Sequence, residues 1–111
     1  VANGEAYRIR GDKDSIGGGT ENLQNVKFTT HKIKVESPTW FYIFSDGFID
    51  QFGGAEGRKY MIKNFSELLV NLHSLPSAEQ REKLKMEMKN WMGDTYPQVD
   101  DVLVIGFKVE P

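Results

Sequence analysis

The sequence predicts one α+β domain over residues 1–111, because apolar runs typical of strands flank a pair of amphipathic helices. A nearly continuous apolar run, Trp40–Phe44, is typical of a buried strand. Apolar residues between Arg58 and Leu75 recur at helical spacing, and a last apolar run covers Val102–Val109. The predicted order is therefore three or four strands, two helices and one final strand.

The first third of the chain predicts short strands separated by loops. Residues 6–10 are interpreted as a short strand, and the glycine-rich residues 13–19 as a loop. Apolar and polar residues roughly alternate over residues 26–35, which favours a half-buried strand. The run Trp40–Phe44 predicts a strand that is covered on both faces.

The middle of the chain predicts two helices with a clear boundary between them. The first covers Arg58–Leu75 and ends at Pro76. For the second, Ser77 and Gln80 have the spacing of a capping box, in which each side chain bonds the backbone amide of the other residue. Gly93 is the expected end of this second helix.

Composition excludes several classes of function. Fourteen basic and sixteen acidic residues give a net charge of −2, which argues against nucleic-acid binding through a basic face. Cysteine is absent, so the chain has neither disulfides nor thiolate metal sites, and a cytoplasmic location is expected. No apolar stretch predicts a membrane span or a secretion signal, and a first residue other than Met indicates an excised segment of a longer protein.

Two acidic turns adjoin the predicted strands. Asp46 follows the run Trp40–Phe44, and Asp100 and Asp101 directly precede the last strand. A carboxylate buried beside an apolar run is costly unless a cation or hydrogen-bond donors compensate it. If the two strands are neighbours, these carboxylates meet and offer the oxygen ligands that Mg²⁺ and Mn²⁺ prefer. Aspartate is also a common turn residue, so a purely structural role stays open.

The same residues carry a family resemblance. Residues 42–54 (YIFSDGFIDQFGG), followed by residues 57–60 (GRKY), resemble the metal-dependent protein phosphatases of type 2C, also called PPM-type. The bacterial branch typified by the stage II sporulation protein E phosphatase is the most similar. Residues 98–106 (QVDDVLVIG) resemble the closing motif of that branch, and residues 10–17 (RGDKDSIG) resemble a loop that precedes these motifs.

The resemblance implies a fold, a chemistry and partners. The fold is part of a phosphatase-type β-sandwich with antiparallel strands and a two-helix insertion before the last strand. The complete site holds two Mg²⁺ or Mn²⁺ ions, and water activated by the metals hydrolyses phosphoserine or phosphothreonine in a phosphoprotein substrate. Asp46 and Asp100 correspond to metal ligands, and Asp101 to a supporting or occasional ligand where relatives often have asparagine. Asp50 and Gln51 match the motif without an assigned role.

One part of the family pattern is missing. The family has a further metal-bridging aspartate in a motif that opens the domain, and no residue here has matching neighbours. The chain therefore resembles the C-terminal portion of a phosphatase domain, and we expect little or no activity from it alone. In this branch an N-terminal sensory or receiver module often precedes the phosphatase, so such a module is expected in the same protein.

A second hypothesis stays open beside the phosphatase. The chain could be a non-catalytic half-domain that binds a partner, or forms a homodimer, through an uncovered sheet. An upstream Asp-Gly metal motif in the full reading frame would separate the two hypotheses. A kinase-like anti-sigma partner is disfavoured, because the sequence lacks a recognisable nucleotide-binding asparagine and glycine-lid pattern.

Overall fold

The computed structural model describes residues 1–11 and 29–111. Its order of strands and helices confirms the predicted α+β class, with antiparallel strands and two helices before the last strand. The elements are β1 (Thr39–Phe44), β2 (Phe52–Gly53), β3 (Arg58–Lys59), α1 (Ile62–Leu72), α2 (Ser77–Met92) and β4 (Val104–Val109).

The first and last long strands form an antiparallel pair, which meets the condition that the metal-site hypothesis placed on the two apolar runs. The register runs from Thr39 opposite Val109 to Phe44 opposite Val104. The prediction that β1 is covered on both faces is wrong, because Ile43 is 59% exposed. Its side chain projects from the face of the sheet opposite to Tyr42 and Phe44, which pack against the core.

The first helix is shorter than the sequence predicts. It covers Ile62–Leu72 rather than Arg58–Leu75, since Arg58–Lys59 pairs with β2 in a small hairpin. Met61, just before the helix, has a φ of 77°, a conformation outside the helical region. The apolar stripe still faces the core, where Phe65, Leu69 and Leu72 are buried.

The second helix begins and ends where expected, but the predicted capping box is wrong. The N-cap is Pro76, whose ψ of 150° is non-helical, so Ser77 is the first residue inside the helix. Its side chain forms no capping hydrogen bond. The buried Gln80 side chain instead donates to the carbonyls of Leu75 (2.9 Å) and His73 (3.3 Å). Gly93 ends the helix, as predicted.

A chain of aromatic rings forms the centre of the core. Phe48 and Phe65 are almost completely buried, and their ring centroids lie 4.9 Å apart. Phe44 packs edge-on against Phe65, while Tyr60 packs edge-on against both Phe48 and Trp91. These contacts join β1, the segment after it, α1 and α2, and such geometries add stability beyond apolar burial.

The predicted strand at residues 6–10 is wrong, and the one predicted over residues 26–35 is wrong in its described part, 29–35. Residues 6–10 are exposed and form no strand; antiparallel bridges instead join Ala2 to Glu5 and Ala2 to Thr39. Residues 29–35 are mostly exposed and also form no strand. Residues 26–28 and the predicted loop 13–19 lie outside the described residues.

The small hairpin is held against the end of α2 by close backbone contact. A Cβ added at Gly53 would lie 2.1 Å from the Trp91 carbonyl oxygen. The Gly54 amide donates to that same oxygen at 2.9 Å. The paired glycines are thus explained by close approach to α2.

In the part of the chain that the structure describes, neither helix has the length and apolar character needed to cross a lipid bilayer.

Candidate metal site

The pairing of β1 and β4 places the two acidic turns at one end of a two-stranded sheet. The last register pair is Phe44 with Val104. Beyond it, the Ser45 amide donates to the Leu103 carbonyl at 3.0 Å, which extends the ladder by one step. Asp46 and Asp101 therefore lie just past the same edge.

Ser45 ties the two turns together through its side chain. Its hydroxyl donates to the Asp101 carbonyl at 3.0 Å and accepts a hydrogen bond from the Leu103 amide at 3.1 Å. One side chain thus satisfies an acceptor 56 residues away and a donor 58 residues away along the sequence. The sequence interpretation missed this role, and the available signal was a serine directly before Asp-Gly at a strand end.

Gly47 is explained by crowding between the turns. A Cβ added here would lie 2.0 Å from the Asp101 carbonyl oxygen and 3.1 Å from the Val102 Cα. Its φ is not among the positive glycine values of the described residues, which belong to Gly4, Gly54, Gly57 and Gly93. Glycine therefore allows the two backbones to touch, and a left-handed conformation is not the reason for its presence.

The three candidate carboxylates are exposed, which corrects the premise that they are buried beside apolar strands. Asp46, Asp100 and Asp101 all reach solvent. An Asp100 side-chain oxygen accepts from the Asp101 amide at 2.7 Å, and the Asp46 carbonyl accepts from the Asp50 amide at 2.9 Å. Exposed carboxylates need no cation to offset desolvation, so burial supplies no argument for a metal here.

Gln51 holds the segment that leads into Asp100. Its side chain is completely buried, and its Nε2 donates to the carbonyls of Pro97 (2.8 Å) and Phe52 (3.1 Å). The Val99 amide approaches its Oε1 at 3.4 Å. The Gln51 carbonyl also accepts from the Trp91 indole at 2.8 Å. A residue to which the sequence assigned no role is therefore the polar anchor between the two motifs.

The donor chemistry fits a hard divalent cation only in part. The backbone contacts bring the Asp46 turn against the Asp101 turn, and carboxylate oxygens are ligands that Mg²⁺ and Mn²⁺ prefer. Across residues 1–11 and 29–111, however, no three His, Asp or Glu side chains are grouped closely enough to hold a metal ion. The described residues therefore offer at most part of a ligand set.

A search of solved structures finds a protein with a similar fold. No family model and no curated protein matches the chain. The SiaA-PP2C domain of Pseudomonas aeruginosa superposes with a TM-score of 0.69 and is 26% identical over 78% of this chain. The chain spans only 35% of the length of that structure. The chain is thus similar in sequence and in fold to a PPM-type phosphatase domain, as its motifs predict, and it corresponds to about a third of one.

Proposed function

We propose that this chain is the C-terminal portion of a bacterial, metal-dependent protein serine/threonine phosphatase domain within a longer signalling protein. The observation that carries the proposal is the Ser45 hydroxyl bridge, which joins the Asp46 turn to the Asp100–Asp101 turn at one sheet edge. The similarity to the SiaA-PP2C domain supports the phosphatase fold. A phosphoprotein substrate, an N-terminal sensory or receiver module and a cytoplasmic location are parts of the same proposal.

In this proposal some residues of the chain bind the metal and others position the metal ligands. Asp46 and Asp100 each offer a carboxylate ligand, and Asp101 supports them from the adjoining position. Ser45 and Gln51 fix the backbones from which these aspartates project. When bound, Mg²⁺ or Mn²⁺ would supply an activated water and neutralise the phosphoryl oxygens. Because the described donors form only part of a ligand set, the remaining ligands belong to the rest of the domain.

The test is phosphate release from a phosphoserine peptide by the full-length protein, with and without Mn²⁺. We expect Asp46→Asn and Asp100→Asn each to lower the metal-dependent rate by more than about 100-fold, beyond the 10–100-fold typical of outer-shell partners. Asp101→Asn should be milder, because Asp101 only supports the two ligands from the adjoining position and relatives often have asparagine there. Asp94→Asn, an exposed aspartate after α2, is the matched control. Unchanged activity in Asp46→Asn, or activity without any divalent metal, would contradict the proposal.

A second candidate function is self-association as a non-catalytic half-domain, and one surface favours it. The face of the β1–β4 sheet opposite the helices is apolar and exposed. Phe41 and Phe107 stack across it at 5.4 Å, while Ile43, Ile105 and Phe107 are 59%, 48% and 43% exposed. Exposed apolar area of this kind is typical of interaction surfaces. Light scattering of the wild type and of Ile43→Thr tests this candidate; a monomeric wild type would exclude homodimerisation.

A further inference from the structure

A groove of about 680 Å³ lies between α2 and the β1–β4 sheet. Its floor is mainly apolar. It includes partly buried side chains that pack against the core, such as Tyr42, Leu84, Met92 and Val104. Tyr42 lies over Gly106, where an added Cβ would approach its ring at 2.9 Å. Glycine at position 106 therefore makes room for the Tyr42 ring on the floor of the groove.

One rim of the groove is basic. Arg81, Lys85 and Lys89 follow one another at four-residue spacing on α2, so they share one face of the helix, and all three line the groove. All three are exposed, and none takes part in an ion pair with another described residue. At 1.5 Å per residue, the three cations extend over about 12 Å of the rim.

The described part of the chain supplies no negative charge to the groove lining. Among the described residues, no aspartate or glutamate lines it. The acidic residues of α2, Glu79, Glu82 and Glu87, do not line it either. A surface of one sign beside an apolar floor attracts a complementary partner and repels one of like charge.

We propose that this groove docks an acidic amphipathic segment of a partner protein. Apolar side chains of the segment would cover the floor, and its Asp or Glu residues would pair with Arg81, Lys85 and Lys89. The charge pattern favours this occupant, because the three cations attract an acidic segment, repel a basic one and add nothing to the binding of an uncharged one. Helix-in-groove binding of amphipathic segments uses the same combination of apolar anchors and flanking charge.

The groove reaches the neighbourhood of the acidic turns without including them. Its lining contains Gln98, Val102 and Leu103, which flank Asp100 and Asp101 in the sequence. The Gln98 side chain donates to the Asp100 carbonyl at 2.8 Å. A docked segment would thus end close to the candidate metal site. The inference goes beyond the proposed phosphatase function and needs no metal, so the two can fail separately.

The test is fluorescence anisotropy with a labelled probe peptide as long as α2, 16 residues, that carries Leu at helical spacing and Glu elsewhere. We expect the wild-type chain to bind it, and binding to weaken as salt is added. The double variant Lys85→Glu/Lys89→Glu should bind at least about tenfold more weakly, equivalent to about 1.4 kcal/mol. Lys83→Glu is the matched control, because Lys83 is exposed on α2 but does not line the groove.

Three results would overturn the proposal. They are failure of the wild type to bind, equal binding of a probe with Gln in place of Glu, and equal losses in the double variant and in Lys83→Glu. Amide-shift mapping adds a readout of position, since the expected changes lie on the groove side of α2 and on Val102–Gly106. Wild-type dimerisation that the double variant abolishes would identify a second copy as the occupant instead. Equally tight binding to anionic lipid vesicles would identify a membrane surface.

Discussion

The backbone at Gly47 touches the carbonyl of Asp101 so closely that a Cβ at position 47 would lie 2.0 Å from the carbonyl oxygen. A methyl group cannot occupy that space unless one of the two turns moves. The contact brings together two turns that are separated by more than fifty residues of sequence. The relative position of Asp46 and Asp101 therefore depends on a residue that has no side chain.

Gly47→Ala should destabilise the fold by about 1–3 kcal/mol, the usual cost of overpacking. The measurement is the midpoint of urea unfolding. Gly11→Ala is the control, because an added Cβ at Gly11 meets no described atom within 4 Å and the residue is exposed. Equal stabilities for the two variants would contradict the close approach.

Ser45→Ala should cost about 0.5–1.5 kcal/mol, the net contribution of a typical hydrogen bond, because it removes the hydroxyl that forms exposed hydrogen bonds with both the Asp101 carbonyl and the Leu103 amide. Ser45→Thr keeps the hydroxyl and should recover part of the loss. In amide exchange, we expect the Leu103 amide to lose protection in Ser45→Ala while amides in α1 keep theirs. Unchanged exchange at Leu103 would contradict the bridge.

Gln51→Met tests the buried anchor, since it preserves volume and removes the polar contacts to Phe52 and Pro97. The two hydrogen bonds are partly buried, and each contributes about 0.5–1.5 kcal/mol, so a loss of about 1–3 kcal/mol is expected in urea unfolding. Gln98→Met is the control on an exposed glutamine of the same region. A loss no larger than that of the control would show that Gln51 does not anchor residues 97–99.

The start of α2 provides a matched pair of substitutions. Ser77→Ala should change stability by less than about 0.5 kcal/mol, because its hydroxyl caps no backbone amide. Gln80→Ala should cost about 1–3 kcal/mol or more, since it leaves the Tyr42 hydroxyl and the Leu75 carbonyl without their partner. Thermal unfolding of both variants checks this order, and the reverse order would restore the capping box.

Stability should fall at high pH in part because of Tyr42. Burial raises the pKa of Tyr42 to about 12, above its ordinary value of 10.0. The folded state therefore holds this proton more tightly, so the contribution is complete below about pH 10 and is lost as the pH rises towards 12. Tyr42→Phe should show a smaller decline in urea midpoint between about pH 8 and pH 11. Tyr60, whose pKa burial also raises to about 12, accounts for a remaining decline. An unchanged decline would contradict this assignment.

Local sequence patterns predicted the longer strands and helices. The continuous apolar run Trp40–Phe44 and the helical stripe of α1 are long enough to recognise, whereas the pairing of β1 with β4 was only a condition of the metal-site hypothesis and is supplied by the structure. The hairpin of β2 and β3 has two residues in each strand, too few for an alternating pattern. The capping box failed because Pro76 takes the N-cap position and shifts Ser77 into the helix.

At the candidate site too, some features could be predicted from the sequence and others could not. The aspartates and their place at strand ends were visible in the sequence, since turn chemistry is local. The roles of Ser45 and Gln51 depend on hydrogen bonds to backbone groups 46 to 58 residues away. No local pattern encodes such partners. The similarity to a PPM-type domain and the side-chain contacts are therefore complementary: the first indicates the fold, and the second shows what holds the turns together.

We propose that the Asp46 turn and the Asp100–Asp101 turn form one metal site. The most direct measurement is Mn²⁺-induced broadening of amide signals in the isotopically labelled chain, which detects weak binding to a partial ligand set. We predict that the amides of Gly47 and Asp101 broaden together, and that either Asp46→Asn or Asp100→Asn abolishes both effects while Asp94→Asn changes neither. Broadening of one turn that persists after substitution of the other, or no broadening at either turn, would contradict the account.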